Sequence, residues 1–227
     1  MLVFVDYEHR DARSEGGGTR MLAARTRITY RLEDLSGQPT MLTRWNRISA
    51  KLLAQIGATA LFISGNSADP DDYAEDELEP LMEIVRNSGL PVFGFCGGWQ
   101  LIARAFDTPV VLLDVAKDVP ETEVMKRTPA GRAFEFGYHP IDVVGDHPLL
   151  DGWSDAPVFR HAHGLHVPVL PPGFRGYAST ELTPVQLAIH DERRIVGTQF
   201  HPEYWTDAEP AGKVLIENFM RWVDLVA

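Results

Sequence analysis

The sequence has one cysteine, Cys96, in 227 residues, so no internal disulfide can form and a secreted scaffold stapled by cystines is excluded. Positive charge is also short: 21 Lys and Arg stand against 32 Asp and Glu, a formal net charge of −11. That sign argues against a general binder of nucleic acid or of anionic membranes, and neither partner is expected. No apolar run approaches the ~18 residues that a membrane-spanning helix needs. The apolar start, Met1–Val5, ends at Asp6 and reads as a first strand and not as a signal peptide, so a cytoplasmic location is expected. What is present suits a water-soluble globular chain, with 44% hydrophobic and 23% charged residues, enough for one substantial core. Repeats, low-complexity tracts and linkers of flexible composition are missing too, so a single domain over residues 1–227 is expected.

Along the chain, Leu2–Val5 reads as a buried strand that would sit centrally in an open α/β sheet. The segment His9–Arg20, with Gly16-Gly-Gly-Thr19, reads as a flexible loop, because the Lys-Ser/Thr ending of a phosphate loop is missing. Met21–Arg27 is expected to be a short helix, Ile28–Leu32 an alternating strand, and Asp34–Pro39 a turn. Leu42, Ile48, Leu52, Leu53 and Ile56 give a helical period that stops at Gly57. Ala58–Ile63 is a strand that runs into the turn Ser64–Ser67, and a helix over about Glu75–Arg86 follows the acidic loop after it. The strand Val92–Phe95 continues the alternation, which is the signature of an α/β fold: an open, mostly parallel sheet with helices on both faces. From Gly131 on, short alternating runs at Phe134–Gly137, His139–Val143 and Ala156–Arg160 predict antiparallel strands on one edge. Leu187–His190 and Arg194–Phe200 predict a hairpin, and a terminal helix is expected from about Asp207.

Two stretches carry chemistry. In Leu90–Arg104 an apolar run ends at Cys96, two glycines follow, and helical spacing begins at once. That is the outline of a nucleophile elbow, with Gly94, Gly97 and Gly98 where backbone segments must approach closely. Cys96 would stand at a helix N-terminus, where free N–H groups favour negative charge. The plain alternative for a lone cysteine is a small buried apolar residue, and the flanking glycines weigh against it. In Ile195–Glu203 a second apolar run delivers His201, with Glu203 two residues on and Pro202 keeping the backbone extended. A carboxylate on the same side as the imidazole can fix its tautomer and leave the other nitrogen for a thiol.

Gly94-Phe-Cys96-Gly-Gly98-Trp-Gln100 resembles the G-x-C-x-G-x-Q elbow of class I glutamine amidotransferases, and Gly197-Thr-Gln-Phe-His201-Pro-Glu203 is similar to that family's histidine-glutamate motif. Phe62-Ile-Ser64-Gly65-Asn66 lies where the family has its oxyanion loop. Gly131–Tyr138, His161–Gly164 and Leu170–Phe174 resemble segments of the glutaminase domain of GMP synthetase. The resemblance covers nearly the whole chain and implies a flavodoxin-like sheet with a small antiparallel extension. It implies a Cys96–His201–Glu203 triad that hydrolyses the side-chain amide of glutamine through a γ-glutamyl thioester, with ammonia passed to a synthetase or acceptor subunit. It also implies an oxyanion hole from Gly65, Asn66 and Gly97, and substrate contacts from Gln100, Glu135 and His163. Asn66-Ser67 replaces the usual glycine and proline of the oxyanion loop, Gly97 replaces a larger residue, and Leu165 stands where an aspartate is usual. These departures keep two other readings open, a hydrolase of γ-glutamyl amides or peptides and a non-catalytic binding subunit. The crossover Glu8–Leu42 is longer than usual, and its arginines between Arg20 and Arg31 could meet a partner or a substrate carboxylate.

His161, His163 and His166 are spaced i, i+2 and i+5, and the first two would share a strand face. Zinc needs three or four convergent ligands, and the local sequence offers no further partner, so surface or pocket-lining histidines are expected, with no metal and no cofactor. Trp99 and Trp205 are expected to pack around the site.

Overall fold

A computed structural model describes residues 1–14 and 18–226. Gly16 and Gly17 of the expected glycine loop lie outside the described residues. Strand β1 (Leu2–Asp6) leads through α1 (Arg10–Ser14) and α2 (Gly18–Ser36) to β2 (Thr40–Arg44), α3 (Ala50–Ile56) and β3 (Ala60–Ile63). Helix α4 (Glu75–Asn87), β4 (Val92–Phe95) and α5 (Gly97–Ala105) follow. Then come β5 (Val111–Leu112), β6 (Met125–Arg127), β7 (Ala133–Pro140), β8 (Asp142–Val143), β9 (Val158–His163) and β10 (Leu165–His166). Strands β11 (Arg175–Ser179), β12 (Leu187–His190) and β13 (Ile195–Thr198) precede the last helix, α6 (Ala211–Trp222).

The main sheet runs β2-β1-β3-β4-β13-β12-β11-β8. Neighbours from β2 to β13 are parallel, and β12, β11 and β8 extend the sheet antiparallel. This is the α/β architecture expected, a mixed and mostly parallel sheet with helices on both faces. The antiparallel extension is larger than one edge, because β6-β7-β9 form a separate sheet and β10 pairs with β5. Strand β1 is second from the edge, and β4 takes the central place between β3 and β13.

Successive strand residues feed opposite faces, as the pleat requires. Val3, Val5, Leu61 and Ile63 pack under α3, α4 and α5 with Leu53, Leu78, Leu81 and Leu101. Leu2, Phe4, Phe62, Phe93 and Phe95 pack under α2 and α6 with Ile28, Leu32, Leu215 and Phe219. With all these strand side chains fully buried, each contributes about 1.5–3 kcal/mol of apolar transfer.

Two local expectations change. Ile28–Leu32 is helical, inside α2, which continues through the expected turn to Ser36. Ile28 and Leu32, four apart, share its buried face, and Tyr30, which gave the sequence its strand-like alternation, points to solvent. Leu42 belongs to edge strand β2 and not to the following helix. That helix, α3, begins later, where the Ser49 side chain accepts from Leu52 N–H at 3.1 Å, and ends at Gly57 with φ 60°.

Candidate functional site

The parallel strands end on one side of the sheet, and β4 delivers Cys96 there. Cys96 has φ 49° and ψ −104°, a region that non-glycine residues occupy only where the surroundings enforce it. Its N–H donates to Thr198 O at 2.7 Å and its carbonyl accepts from Gln100 N at 3.0 Å, so β13 and α5 fix the turn from both sides. A Cβ at Gly98 would overlap the Ile63 carbonyl, and one at Gly97 would overlap the Asn66 side chain. The glycines are therefore required for the contact between α5 and the turn after β3.

That turn carries Gly65 and Asn66, and a buried ionic group holds it. Arg25 of α2 donates from Nε to Asp6 Oδ1 at 2.9 Å and from its terminal nitrogen to Gly65 O at 2.7 Å. Both Glu8 carboxylate oxygens accept from Ser67 N–H at 3.1 Å. Asn66 Nδ2 donates to Ala68 O and to Tyr73 Oη, at 2.9 and 3.0 Å. Sequence reading missed Asp6, Glu8 and Arg25 as supports of the site. The acidic end of β1 and the arginines of the crossover were visible signals, but their meeting depends on α2 being one continuous helix. Arg31 of the same helix donates to Glu203 O at 2.7 Å and Trp205 O at 3.0 Å, and it lies 4.0 Å over the Trp205 ring. Arg25 and Arg31 are thus engaged inside the protein.

His201 follows β13, with its N–H on Arg160 O of β9 at 2.8 Å, and its Nδ1 lies 2.8 Å from Glu203 Oε1. A Cβ placed on Gly65 would stand 2.8 Å from His201 Cε1 and 3.5 Å from Cys96 Cβ, so both residues border that glycine.

The triad expected from the sequence needs correction. The convergent histidine and carboxylate group among the described residues is Glu135, His161 and His163, and Cys96 is no part of it. The Cys96 thiol accepts from Gln199 Nε2 at 3.6 Å. Burial alone would lower the pKa of His201, but Glu203 and Cys96 beside it hold it up to about 10. The expected Cys96–His201–Glu203 triad, and the thioester route that depends on it, give way to the Glu135, His161 and His163 group, with His201 and Glu203 paired separately at 2.8 Å. Gln199, which holds the thiol, sits inside the histidine motif but carried no signal of that role.

A cavity of about 250 Å³ opens over Cys96, lined among others by Asn66, Gln100, Arg132, His163 and Leu165. Gln100 Nε2 donates to Leu165 O at 3.0 Å and approaches Gln199 Oε1 at 3.4 Å. At the mouth, the exposed Arg132 and Asp69 pair at 2.9 Å. Trp99 packs fully buried against Phe174, their ring centroids 5.5 Å apart.

Glu135 faces His163 across the β7–β9 ladder, its Oε2 2.8 Å from His163 Nε2. Thr180 donates to Oε1 at 2.6 Å, and Thr183 and Gln186 donate to Oε2 at 2.8 and 2.7 Å. Burial would raise the Glu135 pKa, yet His163, Thr180 and His161 hold it down to about 2. His161 is held down to about 2 by burial first and by His139 and His163 after it, so it is neutral. Its ring stacks on His139 at 3.7 Å. His161 and His163 do share a face, as expected; it is buried, and His163 lines the cavity over Cys96. Ligand atoms of Glu135, His161 and His163 lie within 4.8 Å of one another, so this group could hold a metal ion.

Among the described residues no helix is long and apolar enough to cross a membrane. The chain is 30% identical over 174 residues to a glutamine-hydrolysing GMP synthase of Thermosynechococcus vestitus, covering 77% of this chain and 28% of that protein. Against the enzyme of the same name from Stenotrophomonas maltophilia it is 30% identical over 198 residues, covering 85% and 33%. It thus spans about a third of the length of these relatives. Among solved structures, a protein of Thermoplasma acidophilum assigned as one of the subunits of GMP synthase superposes with a TM-score of 0.70 at 22% identity, covering 99% of this chain and 94% of that one. A glutamine amidotransferase of Methylobacillus flagellatus gives 0.67 at 15% identity, covering 100% and 95%, and these two likenesses concern the fold. Residues 25–222 match the family described as glutamine amidotransferase class-I, and with the elbow at Cys96 and the His201–Glu203 pair in place, the chain belongs to that family and is homologous to the glutaminase domain of GMP synthase.

Proposed function

We propose that this chain handles the amide nitrogen of glutamine or a γ-glutamyl compound, as a glutaminase or amidotransferase unit, and passes ammonia to a synthetase or acceptor partner. The observation that carries the reading is the family match joined to a cavity of about 250 Å³ at Cys96. The relatives named as glutamine-hydrolysing GMP synthases support the substrate and the partner class. The proposed site residues are Cys96, Gln100 and His163 at the cavity and the turn Gly65–Asn66 with Gly97 beside it. His201, Glu203 and Glu135 stand behind them. No covalent step is assigned to Cys96. At the mouth, Arg132 and Asp69 offer opposite charges to the α-carboxylate and α-ammonium of a free amino acid, which favours glutamine itself as the ligand.

The test is ammonia release by the full chain from glutamine and a panel of γ-glutamyl amides, with and without a candidate synthetase. Release from glutamine that rises with the partner is expected, and no release under any condition would leave a binding subunit. Arg132→Ala should raise KM for glutamine by roughly five- to tenfold with kcat little changed, since the lost contact acts on bound substrate and transition state alike.

A further inference from the structure

We propose that Glu135, His161 and His163 form a binding site for a divalent d-block cation, zinc first among them. This site does not depend on the amide reading. Its three side chains come from two paired strands: Glu135 stands opposite His163 in the β7–β9 register, and His161 lies two residues back on the same face. Strand pairing therefore delivers three imidazole and carboxylate ligand atoms to one buried point, all within 4.8 Å of one another. Such donors suit zinc, cobalt or nickel better than calcium or magnesium, which take oxygen shells.

The hydrogen-bond pattern points the same way. His161 is fully buried, and neither of its ring nitrogens has a partner. His163 Nε2 lies 2.8 Å from Glu135 Oε2, a direct pair that a shared cation would replace. Two ligands of one tetrahedral zinc at ~2.0–2.2 Å stand roughly 3.3–3.6 Å apart, so His163 Nε2 and Glu135 Oε2 need separate by only about half an ångström to share one coordination shell. An ion pair of His163 with Glu135 would explain those two groups alone and would still leave His161 orphaned, 4.0 Å from Glu135 Oε2. A polar ring left wholly unpartnered in a core needs a reason, and a cation supplies one.

The surrounding groups fit a support shell. The other ring nitrogen of His163 faces Leu165 O at 3.2 Å, which fixes the ring and frees Nε2. Thr180, Thr183 and Gln186 orient the carboxylate as ligating carboxylates are usually oriented. His139 stacks on His161 with its own Nε2 unpartnered. A second cavity of about 260 Å³, bordered by Glu135, His139, Asp142 and Thr180, gives an ion a way in.

The test is titration of the chelator-treated full chain with Co²⁺, followed by Zn²⁺ competition. One equivalent should bind with visible bands of a nitrogen and oxygen shell and without a thiolate charge-transfer band. His161→Leu and Glu135→Gln should each weaken binding at least tenfold, and Cys96→Ser should leave it unchanged. Glu135→Gln keeps the side-chain shape and decides the matter if His161→Leu fails to fold. No stoichiometric binding by the parent chain, binding unaltered in Glu135→Gln, or binding lost in Cys96→Ser would each overturn the site.

Discussion

The buried charged groups on the two sides of the Cys96 cavity differ in how fully they are satisfied. On one side, Asp6, Glu8 and Arg25 grip the turn Ser64–Ser67, and none of their buried polar atoms is without a partner. On the other, Glu135 is bonded by Thr180, Thr183 and Gln186, while His161 keeps two orphan nitrogens and His139 one. The first group does its work in the chain as it stands, by fixing a backbone turn. The second is preorganised on its carboxylate side and open on its imidazole side. A closed network positions, and an open one is arranged for something it does not contain. Strand β9 links the two halves, since it carries His161 and His163 and also pins the backbone of His201 through Arg160.

The largest loss of stability is expected at Arg25. Replacing it by methionine keeps the apolar stem but removes the guanidinium beside the buried Asp6 and Glu8 and its bond to Gly65 O. A loss of roughly 3–5 kcal/mol is expected, because removing one member of a buried ion pair is strongly destabilising. Urea denaturation measures it, and Arg25→Lys should recover only part, since one ammonium cannot bond Asp6 and Gly65 O in the same geometry. A loss below about 1 kcal/mol would mean that the turn is not held by this group.

His201 gives the next largest effect and a pH signature. Its pKa is raised from 6.5 to about 10 by folding, so its contribution is complete below pH 6.5 and is lost as pH rises toward 10. Stability should fall across that window by at most about 1.4 kcal/mol per pH unit, one proton's worth. Tyr7 and Tyr204, raised by burial from an ordinary value near 10, act above this window. Glu203→Gln removes the main raising partner and should flatten the slope. Denaturant midpoints at pH 7 and 9.5 for both proteins decide it, and an unchanged slope in the variant would assign the alkaline loss to another group.

Arg31 tests the closed side more gently. Arg31→Ala removes two bonds to the backbone at Glu203 and Trp205 and the cover over the indole. The side chain is partly exposed, so a loss of about 1–2 kcal/mol is expected from thermal unfolding. The alkaline slope should persist, because the His201–Glu203 pair itself is intact. Loss of the slope would show that the pair depends on Arg31 for its position.

How much of this was legible in the sequence follows from range. Ala60–Ile63 and Val92–Phe95 were readable because a strand buried on both faces leaves an uninterrupted apolar run. Cys96 with Gly97 and Gly98, and His201 with Glu203, were readable because each group is local and lies at a strand end. Ile28–Leu32 was misread because apolar residues at i, i+2 and i+4 satisfy a strand, and only the exposure of Tyr30 reveals the helix. The raised pKa of His201 was hidden, since it needs Glu203 and Cys96 close enough to outweigh burial. Glu135 could not be joined to His161 because the pairing of β7 with β9 is a register between segments far apart in sequence, and nothing local encodes it.

The smallest expected effect is the one that bears most directly on the open group. His161→Leu exchanges an imidazole for an apolar side chain of similar volume in a site that offers the ring nitrogens nothing. In metal-free protein the change removes no hydrogen bond, relieves the burial of two polar atoms, and gives up the stacking on His139. These terms oppose each other, so stability near pH 7.5 should move by less than about 1 kcal/mol in urea denaturation. Arg25→Met should cost severalfold more, since Arg25 donates to Asp6 and to Gly65 O while neither ring nitrogen of His161 has a partner. A large loss at His161 in the absence of metal would mean that the ring has a partner in solution, such as an ordered water, and that the two sides of the cavity are satisfied alike.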